Sequence, residues 1–239
     1  MKESNLYESK HMSCVLGGTL RPGGFALTDI GAEYCGFKNN DKVLDIGCGR
    51  GDSVNYLNGK YKLDSYGIDP SRLLLNEGRE KYPGIKIFEG KGEMLPFDDD
   101  MMDGVFAECT MSLMDDLQKV MQEAFRVLKK DGWFIITDVY AKNPQYLSLL
   151  QNFSFKSCLR GLHDIENLKM NLIDNGFQIM YYQDFSDMLK QLMVKIIFEY
   201  GSMNIFWSKA SSCSTNCLKF QEILSKCKVG YFLLIAKKE

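Results

Sequence analysis

Hydrophobic and polar residues follow two patterns along this chain. Short apolar runs that end at glycine or a polar residue predict buried strands, whereas longer stretches with apolar residues three and four positions apart predict amphipathic helices. The predicted strands are Lys42–Ile46, Ser65–Asp69, Ile85–Phe88, Gly104–Ala107, Trp133–Val139, Phe177–Tyr182 and Tyr231–Ala236. The predicted helices are Asp52–Tyr61, a segment capped by Ser71, Leu117–Lys130 and Ile165–Asn175. This alternation predicts an α/β fold with a doubly wound, mainly parallel seven-stranded sheet.

Two segments lie outside this alternation of strands and helices. Residues 1–40 precede the first strand, and we expect them to form an N-terminal lid and a helix. Residues 185–228 form a helical insertion before the last strand, while residues 41–184 and 229–239 make up the core. Long insertions beside a sheet are usually functional. We therefore expect residues 185–228 and residues 12–30 to cover the substrate side of the binding site.

Composition narrows the class of partner. The 239 residues carry a net charge of −2 and contain no Lys/Arg block, which argues against a nucleic-acid substrate and favours a small molecule. No apolar run is long enough to span a membrane, and the polar N-terminus does not resemble a signal peptide. The eight cysteines are then expected to be reduced thiols in the cytoplasm. Cys213, Cys217 and Cys227 have no fourth ligand nearby, so we predict no metal site.

The strongest chemical signal is a glycine-rich turn after the first predicted strand. Asp45 lies near the end of that strand, and Gly47, Cys48, Gly49 and Gly51 lie between the strand and a helix, where glycine lets a ligand approach the backbone. Asp69 ends the second strand, where a carboxylate accepts hydrogen bonds from a ribose. The alternative ligand is a nicotinamide dinucleotide, but its fingerprint needs glycine where this chain has Asp52.

The G-x-G-x-G turn, with Asp45 two residues ahead of it, resembles motif I of class I S-adenosylmethionine-dependent methyltransferases, in particular the type 11, ubiquinone-biosynthesis-like group. The segment Gly92–Phe97 and the turn Arg126–Gly132 resemble further motifs of that family. The resemblance implies a Rossmann-like fold, S-adenosylmethionine as cofactor, Asp69 at its ribose, and Gly92 and Glu93 beside its adenine. Many relatives have Asp where this chain has Lys91, which cannot accept the adenine hydrogen bond.

A second, partial resemblance concerns the methyl acceptor. The run after the fourth strand, with Cys109, and the segment around Cys158 resemble metalloid-binding segments of arsenite methyltransferases. Cys14, in the predicted lid, matches a third cysteine of that family. The resemblance implies three thiolates for a soft centre such as trivalent arsenic, in keeping with thiolate preference for soft metals. The alternative is that Cys109 and Cys158 are small buried hydrophobic residues.

Two further residues fall at the carboxyl ends of strands, where open α/β sheets bind ligands. Glu108 follows the fourth strand and is a candidate cofactor contact or catalytic base, with a purely supporting carboxylate as the alternative. Tyr140 follows the fifth strand and is a candidate substrate contact. A protein that binds the cofactor without catalysis is the remaining alternative, because binding residues do not establish turnover. The sequence leaves the oligomeric state open.

Overall fold

The structure is a computed structural model that describes residues 21–153, 157–203, 205–206 and 217–239. Its strands are β1 (Lys42–Ile46), β2 (Asp64–Asp69), β3 (Ile87–Glu89), β4 (Met102–Glu108), β5 (Leu128–Ala141), β6 (Phe177–Asp184) and β7 (Val229–Lys238). Its α-helices are α1 (Ala26–Cys35), α2 (Asp52–Tyr61), α3 (Arg72–Lys81), α4 (Leu117–Val127), α5 (Ile165–Asp174), α6 (Ser186–Tyr200) and α7 (Cys217–Cys227). Short 3₁₀ segments occupy Met111–Leu113, Pro144–Asn152 and Cys158–Arg160.

The seven strands form one sheet in the order β3-β2-β1-β4-β5-β7-β6. Neighbouring strands from β3 to β5 run parallel, and β7 pairs antiparallel with both β5 and β6. This confirms the predicted Rossmann-like, mainly parallel sheet. The chain order reverses at β1, whose neighbours are β2 and β4, so a crevice opens at the carboxyl ends of β1 and β4.

Alternate residues of each central strand enter two separate cores. One face of the sheet, which carries Val43 and Phe106, packs against α1, the two later 3₁₀ segments and the insertion. The opposite face, which carries Leu44 and Val105, packs against α4 and α5. The central strands are therefore buried on both sides, which is why they read as continuous apolar runs in the sequence.

The ends of some elements differ from prediction. Helix α4 ends at Val127 and not at Lys130, because Leu128 adopts an extended conformation and pairs with Met102 of β4. Strand β5 consequently begins at Leu128, five residues earlier than predicted, and continues to Ala141. The apolar spacing is helical up to that point, but the hydrogen bonds to β4 favour the extended backbone.

The insertion packs beside the N-terminal helix. Leu189 and Ile196 of α6 lie in the same core as Leu27 of α1, and a methyl group on Gly23 would meet the sulfur of Met188 at 2.6 Å. Within the described ranges, no helix is both long and apolar enough to cross a membrane. The division of the chain into lid, core and cap stays a prediction.

Candidate cofactor and substrate site

A cavity of about 260 Å³ lies at the crevice between the carboxyl ends of β1 and β4. Four parts of the chain wall it: the glycine turn after β1, the end of β2, residues 90–93, and residues 108–115. Arg21 and Ser53 close it on the side of the N-terminal segment. No described residue of the 185–228 insertion lines this cavity. The predicted role of that insertion as a cover thus stays a prediction.

At Gly47 and Gly49, the glycine turn lines the cavity with main chain alone. Gly47, Gly49 and Gly51 all have left-handed φ values, of 78°, 54° and 77°. A Cβ on Gly47 would lie 2.4 Å from a methyl carbon of Thr110, whose hydroxyl donates to the carbonyl of Ile46 at 2.8 Å. Glycine is therefore required at position 47 for both conformation and space. Gly51 lies outside the cavity lining and precedes α2, against Ile85.

Asp69 is held in place by two backbone N–H groups. Its Oδ2 accepts from Gly49 at 2.9 Å, and its Oδ1 accepts from Ser71 at 2.8 Å. The residue is 8% exposed and lines the cavity. A fixed, buried carboxylate of this kind fits a ribose diol.

A charged cluster lines the cavity at the end of β4, across β1 from Asp69. Glu108, with a side chain 1% exposed, forms an ion pair with Arg21 and accepts a 2.8 Å hydrogen bond from Thr28. Burial, and then the charge of Glu108, raise the pKa of the Asp45 carboxyl above its usual range. Because both Glu108 oxygens already have partners, this carboxylate is poorly placed to act as a free base.

The residues predicted to lie beside the adenine form part of the cavity wall. Gly92 is close to β1, since a Cβ there would lie 2.9 Å from Ile46. Glu93 lines the cavity and accepts from the backbone N–H of Asp115 at 3.0 Å. Lys91 forms an exposed 3.7 Å ion pair with Asp115. The glutamate thus holds the two loops together, and residues 90–93 line the space available for a base.

Cys109 lies at the cavity, next to Glu108. Its φ of 58° is left-handed, which is unusual for a residue other than glycine and marks a strained position. Its thiol is 3.1 Å from the Tyr231 hydroxyl, which donates to Thr137 at 3.1 Å. Burial raises the pKa of the Cys109 thiol well above its ordinary value, and the nearby Cys158 thiol adds to that rise.

The other candidate substrate residues lie elsewhere. Cys158 packs against the same core as Cys109 but is not among the cavity-lining residues. Cys14 lies outside the described residues. Tyr140 also lies away from the cavity lining, and its hydroxyl donates to Asp184. Cys48 lines the cavity, with its sulfur packed toward Gly67 of β2.

Sequence reasoning did not assign Arg21 to the site. Arg21 belongs to the conspicuous run Leu20-Arg21-Pro22-Gly23-Gly24, but nothing in that run indicates which residues the arginine contacts. The arginine meets Glu108 only through the fold, 87 positions further along the chain.

Comparison with known proteins agrees with this geometry. Residues 44–136 match the Methyltransf_11 family, a methyltransferase domain. The chain is 25% identical over 177 residues to the ubiquinone/menaquinone biosynthesis C-methyltransferase UbiE of Campylobacter jejuni, covering 62% of this chain and 75% of that protein. It is 32% identical over 127 residues to YrhH of Bacillus subtilis, named as a methyltransferase, covering 50% of this chain and 71% of YrhH.

The fold is also that of the [4+2]-cyclase SpnF, with a TM-score of 0.77 and 20% identity, covering 98% of this chain and 93% of SpnF. Structures with this fold have been solved with S-adenosylmethionine or S-adenosylhomocysteine bound. The fold and site define an enzyme of the class I S-adenosylmethionine-dependent methyltransferases. Within that class, this chain belongs to the methyltransferase family that includes UbiE and YrhH, and its substrate is a small molecule.

Proposed function

We propose that S-adenosylmethionine lies across this cavity with its ribose at Asp69, its adenine at Gly92 and Glu93, and its methionine end at Gly47–Gly49 and Glu108. The observation that carries the proposal is the Asp69 carboxylate, held by the backbone N–H groups of Gly49 and Ser71 beside the glycine turn. The cofactor supplies an electrophilic methyl group on a sulfonium. The protein contributes position and the exclusion of water.

The test is calorimetry with S-adenosylhomocysteine and, in parallel, NAD. We expect S-adenosylhomocysteine to bind and NAD not to bind. A Gly47→Val variant, which fills the floor of the turn, should lose S-adenosylhomocysteine. Binding of NAD in preference to S-adenosylhomocysteine, or unchanged affinity of Gly47→Val for S-adenosylhomocysteine, would overturn this placement of the cofactor.

We further propose that the methyl acceptor is a small, soft nucleophile that enters beside Cys109, with trivalent arsenic as the first candidate. Two observations favour it. The cavity carboxylates of Asp69 and Glu108 have hydrogen-bond partners, so an acceptor that needs no deprotonation suits the site best. The Cys109 thiol lies at the cavity, and the Cys158 thiol behind the lining is close enough to interact with it electrostatically, which would bring two soft ligands to one acceptor atom. Cys14 is the proposed third.

The acceptor proposal is tested by single turnover with arsenite and, as hard alternatives, amine and carbon acceptors, reading out S-adenosylhomocysteine. We expect arsenite turnover that falls at least tenfold in Cys109→Ser, with S-adenosylhomocysteine affinity retained. Turnover of an amine or of a quinol-type carbon acceptor, with none for arsenite, would overturn the soft acceptor and leave the cofactor site intact.

A reducing compartment, the cytoplasm, is part of this proposal, because thiol ligands must remain reduced. In support, the cysteines described with side chains, namely Cys35, Cys48, Cys109, Cys158 and Cys227, are not in disulfides. Labelling of the cell-extracted protein with a thiol reagent, before and after reduction, tests this point. Equal labelling supports it, and a gain after reduction contradicts it.

A further inference from the structure

Arg21 has an unusually complete set of partners at the wall of the cavity. Its Nε donates to the carbonyl of Gly24 at 2.7 Å, and one terminal nitrogen donates to Thr28 at 2.7 Å. The other terminal nitrogen donates to Ser53 at 2.8 Å and to the carboxylate of Glu108. The side chain is only 9% exposed. The guanidinium is thus fixed in one orientation.

The partners close a ring of hydrogen bonds around one carboxylate. Thr28 accepts from Arg21 and donates to Glu108, so the carboxylate receives one bond directly from the arginine and one through the threonine. Thr28 lies on α1, Ser53 on α2 and Glu108 at the end of β4. Arg21 therefore fixes the position of Glu108 relative to the helix that follows the glycine turn.

The charge distribution gives this ring a role in the cavity. Asp45, Asp69 and Glu108 place three buried carboxyl groups at the walls. Among the described residues lining the cavity, Arg21 is the most buried cation, since the Arg50 side chain is 18% exposed and that of Lys91 is 64% exposed. Without Arg21, the Glu108 carboxylate would lose its counter-charge beside the buried Asp45.

Stability alone accounts poorly for such a pair. A buried ion pair is often no more stabilising than well-packed apolar residues of the same volume, because both charges must be desolvated. The pair instead presents an oriented carboxylate at the end of β4, which is separated by β1 from the β2 strand that ends at the ribose site, Asp69. The cofactor carries its charged amino-acid group at the end opposite its adenine.

We propose that Arg21 is a positioning residue for the cofactor: it acts through Glu108 to fix the carboxylate that receives the ammonium group of the amino-acid end. This inference rests on the proposed placement of S-adenosylmethionine in the cavity. Arg21 thereby makes the site selective for adenosine thioethers that carry an amino-acid tail.

The experiment compares two ligands in calorimetry. S-adenosylhomocysteine carries the tail, and 5′-methylthioadenosine has the same nucleoside and sulfur without it. We expect Arg21→Met to weaken the binding of S-adenosylhomocysteine by about 10- to 100-fold, the range for one hydrogen bond to a charged group. The affinity for 5′-methylthioadenosine should change by less than about threefold. Arg21→Lys keeps the charge without the planar fork and should give an intermediate loss confined to S-adenosylhomocysteine.

Arg50→Met is the matched control, because it removes another arginine from the same cavity wall, one that pairs with Glu77 instead of Glu108. It should change the affinities for both ligands by the same factor. Thermal unfolding establishes that each variant is folded. If Arg21→Met does not fold, the inference is tested by Arg21→Lys alone, through the ratio of its affinities for S-adenosylhomocysteine and 5′-methylthioadenosine.

Equal losses for the two ligands in the Arg21 variants, or no loss for either, would overturn the inference. Failure of the cofactor placement has a different signature. In that case, 5′-methylthioadenosine would not bind to the unaltered protein, or its affinity would not depend on Asp69.

Discussion

Replacing Asp69 tests the proposed ribose site most directly. The carboxylate receives hydrogen bonds from the backbone N–H groups of Gly49 and Ser71, and we propose that it also accepts from two ribose hydroxyls. A hydrogen bond to a charged group contributes about 1.5 to 3 kcal/mol, and water entering the space left in Asp69→Ala compensates part of the loss. We therefore expect binding to weaken by about 2 to 4 kcal/mol, or roughly 30- to 1,000-fold in Kd.

The assay is calorimetry with S-adenosylhomocysteine, accompanied by thermal unfolding of each variant. Asp69→Asn keeps the shape and one acceptor oxygen, so its loss should be smaller, about tenfold. Glu89→Gln is the control, because Glu89 ends the neighbouring strand β3 but is exposed and pairs with Arg72. The reasoning is refuted if folded Asp69→Ala binds S-adenosylhomocysteine with unchanged affinity, or if Glu89→Gln loses as much affinity as Asp69→Ala.

Three further predictions concern stability and catalysis. Gly36→Ala, at a left-handed φ of 63° with open space around it, should cost about 1 to 2 kcal/mol in urea unfolding. Gly47→Ala should cost more, because its methyl also meets Thr110; equal costs would contradict the steric argument. Burial raises the folded-state pKa of Asp45 to about 8, so its stabilising contribution is complete below the unfolded pKa of about 4 and is lost as pH rises through 8. The Tm of the ligand-free protein should therefore fall more between pH 5 and 8 than that of Asp45→Asn, and parallel curves would exclude this titration. Tyr231→Phe removes the hydroxyl beside the Cys109 thiol and should lower turnover of arsenite while leaving S-adenosylhomocysteine affinity unchanged; unchanged turnover would remove Tyr231 from the acceptor side.

The cofactor end of the site could be predicted from sequence because its signals are local. The run Lys42–Ile46 is apolar and ends at glycine, and the predicted strand has the observed bounds. Asp69 ends β2, and parallel strands bring their carboxyl ends to one edge, so the turn and the carboxylate were expected to meet. Helix α2 likewise has its predicted bounds, Asp52–Tyr61.

Other features were decided by pairing between distant parts of the chain. Helix α4 ends and strand β5 begins at Leu128, because β4 offers hydrogen bonds there. The helical spacing of apolar residues in this segment does not indicate that pairing. The contact between Cys109 and Tyr231 joins residues 122 positions apart. Tyr140 is hydrogen-bonded to Asp184 and lies outside the cavity lining, although its place just past the predicted fifth strand suggested a ligand contact.

Hydrophobic periodicity and glycine turns reflect local backbone preferences. The sequence alone therefore determined the strands, the α/β class and the cofactor turn. Side-chain orientation and charge pairing depend on which segments the sheet brings together. Arg21 illustrates the difference, since its position in the sequence gives no indication of a partner on β4. Only after α1 packs on the sheet does the guanidinium reach Glu108, and the low-dielectric surroundings there make that pairing necessary.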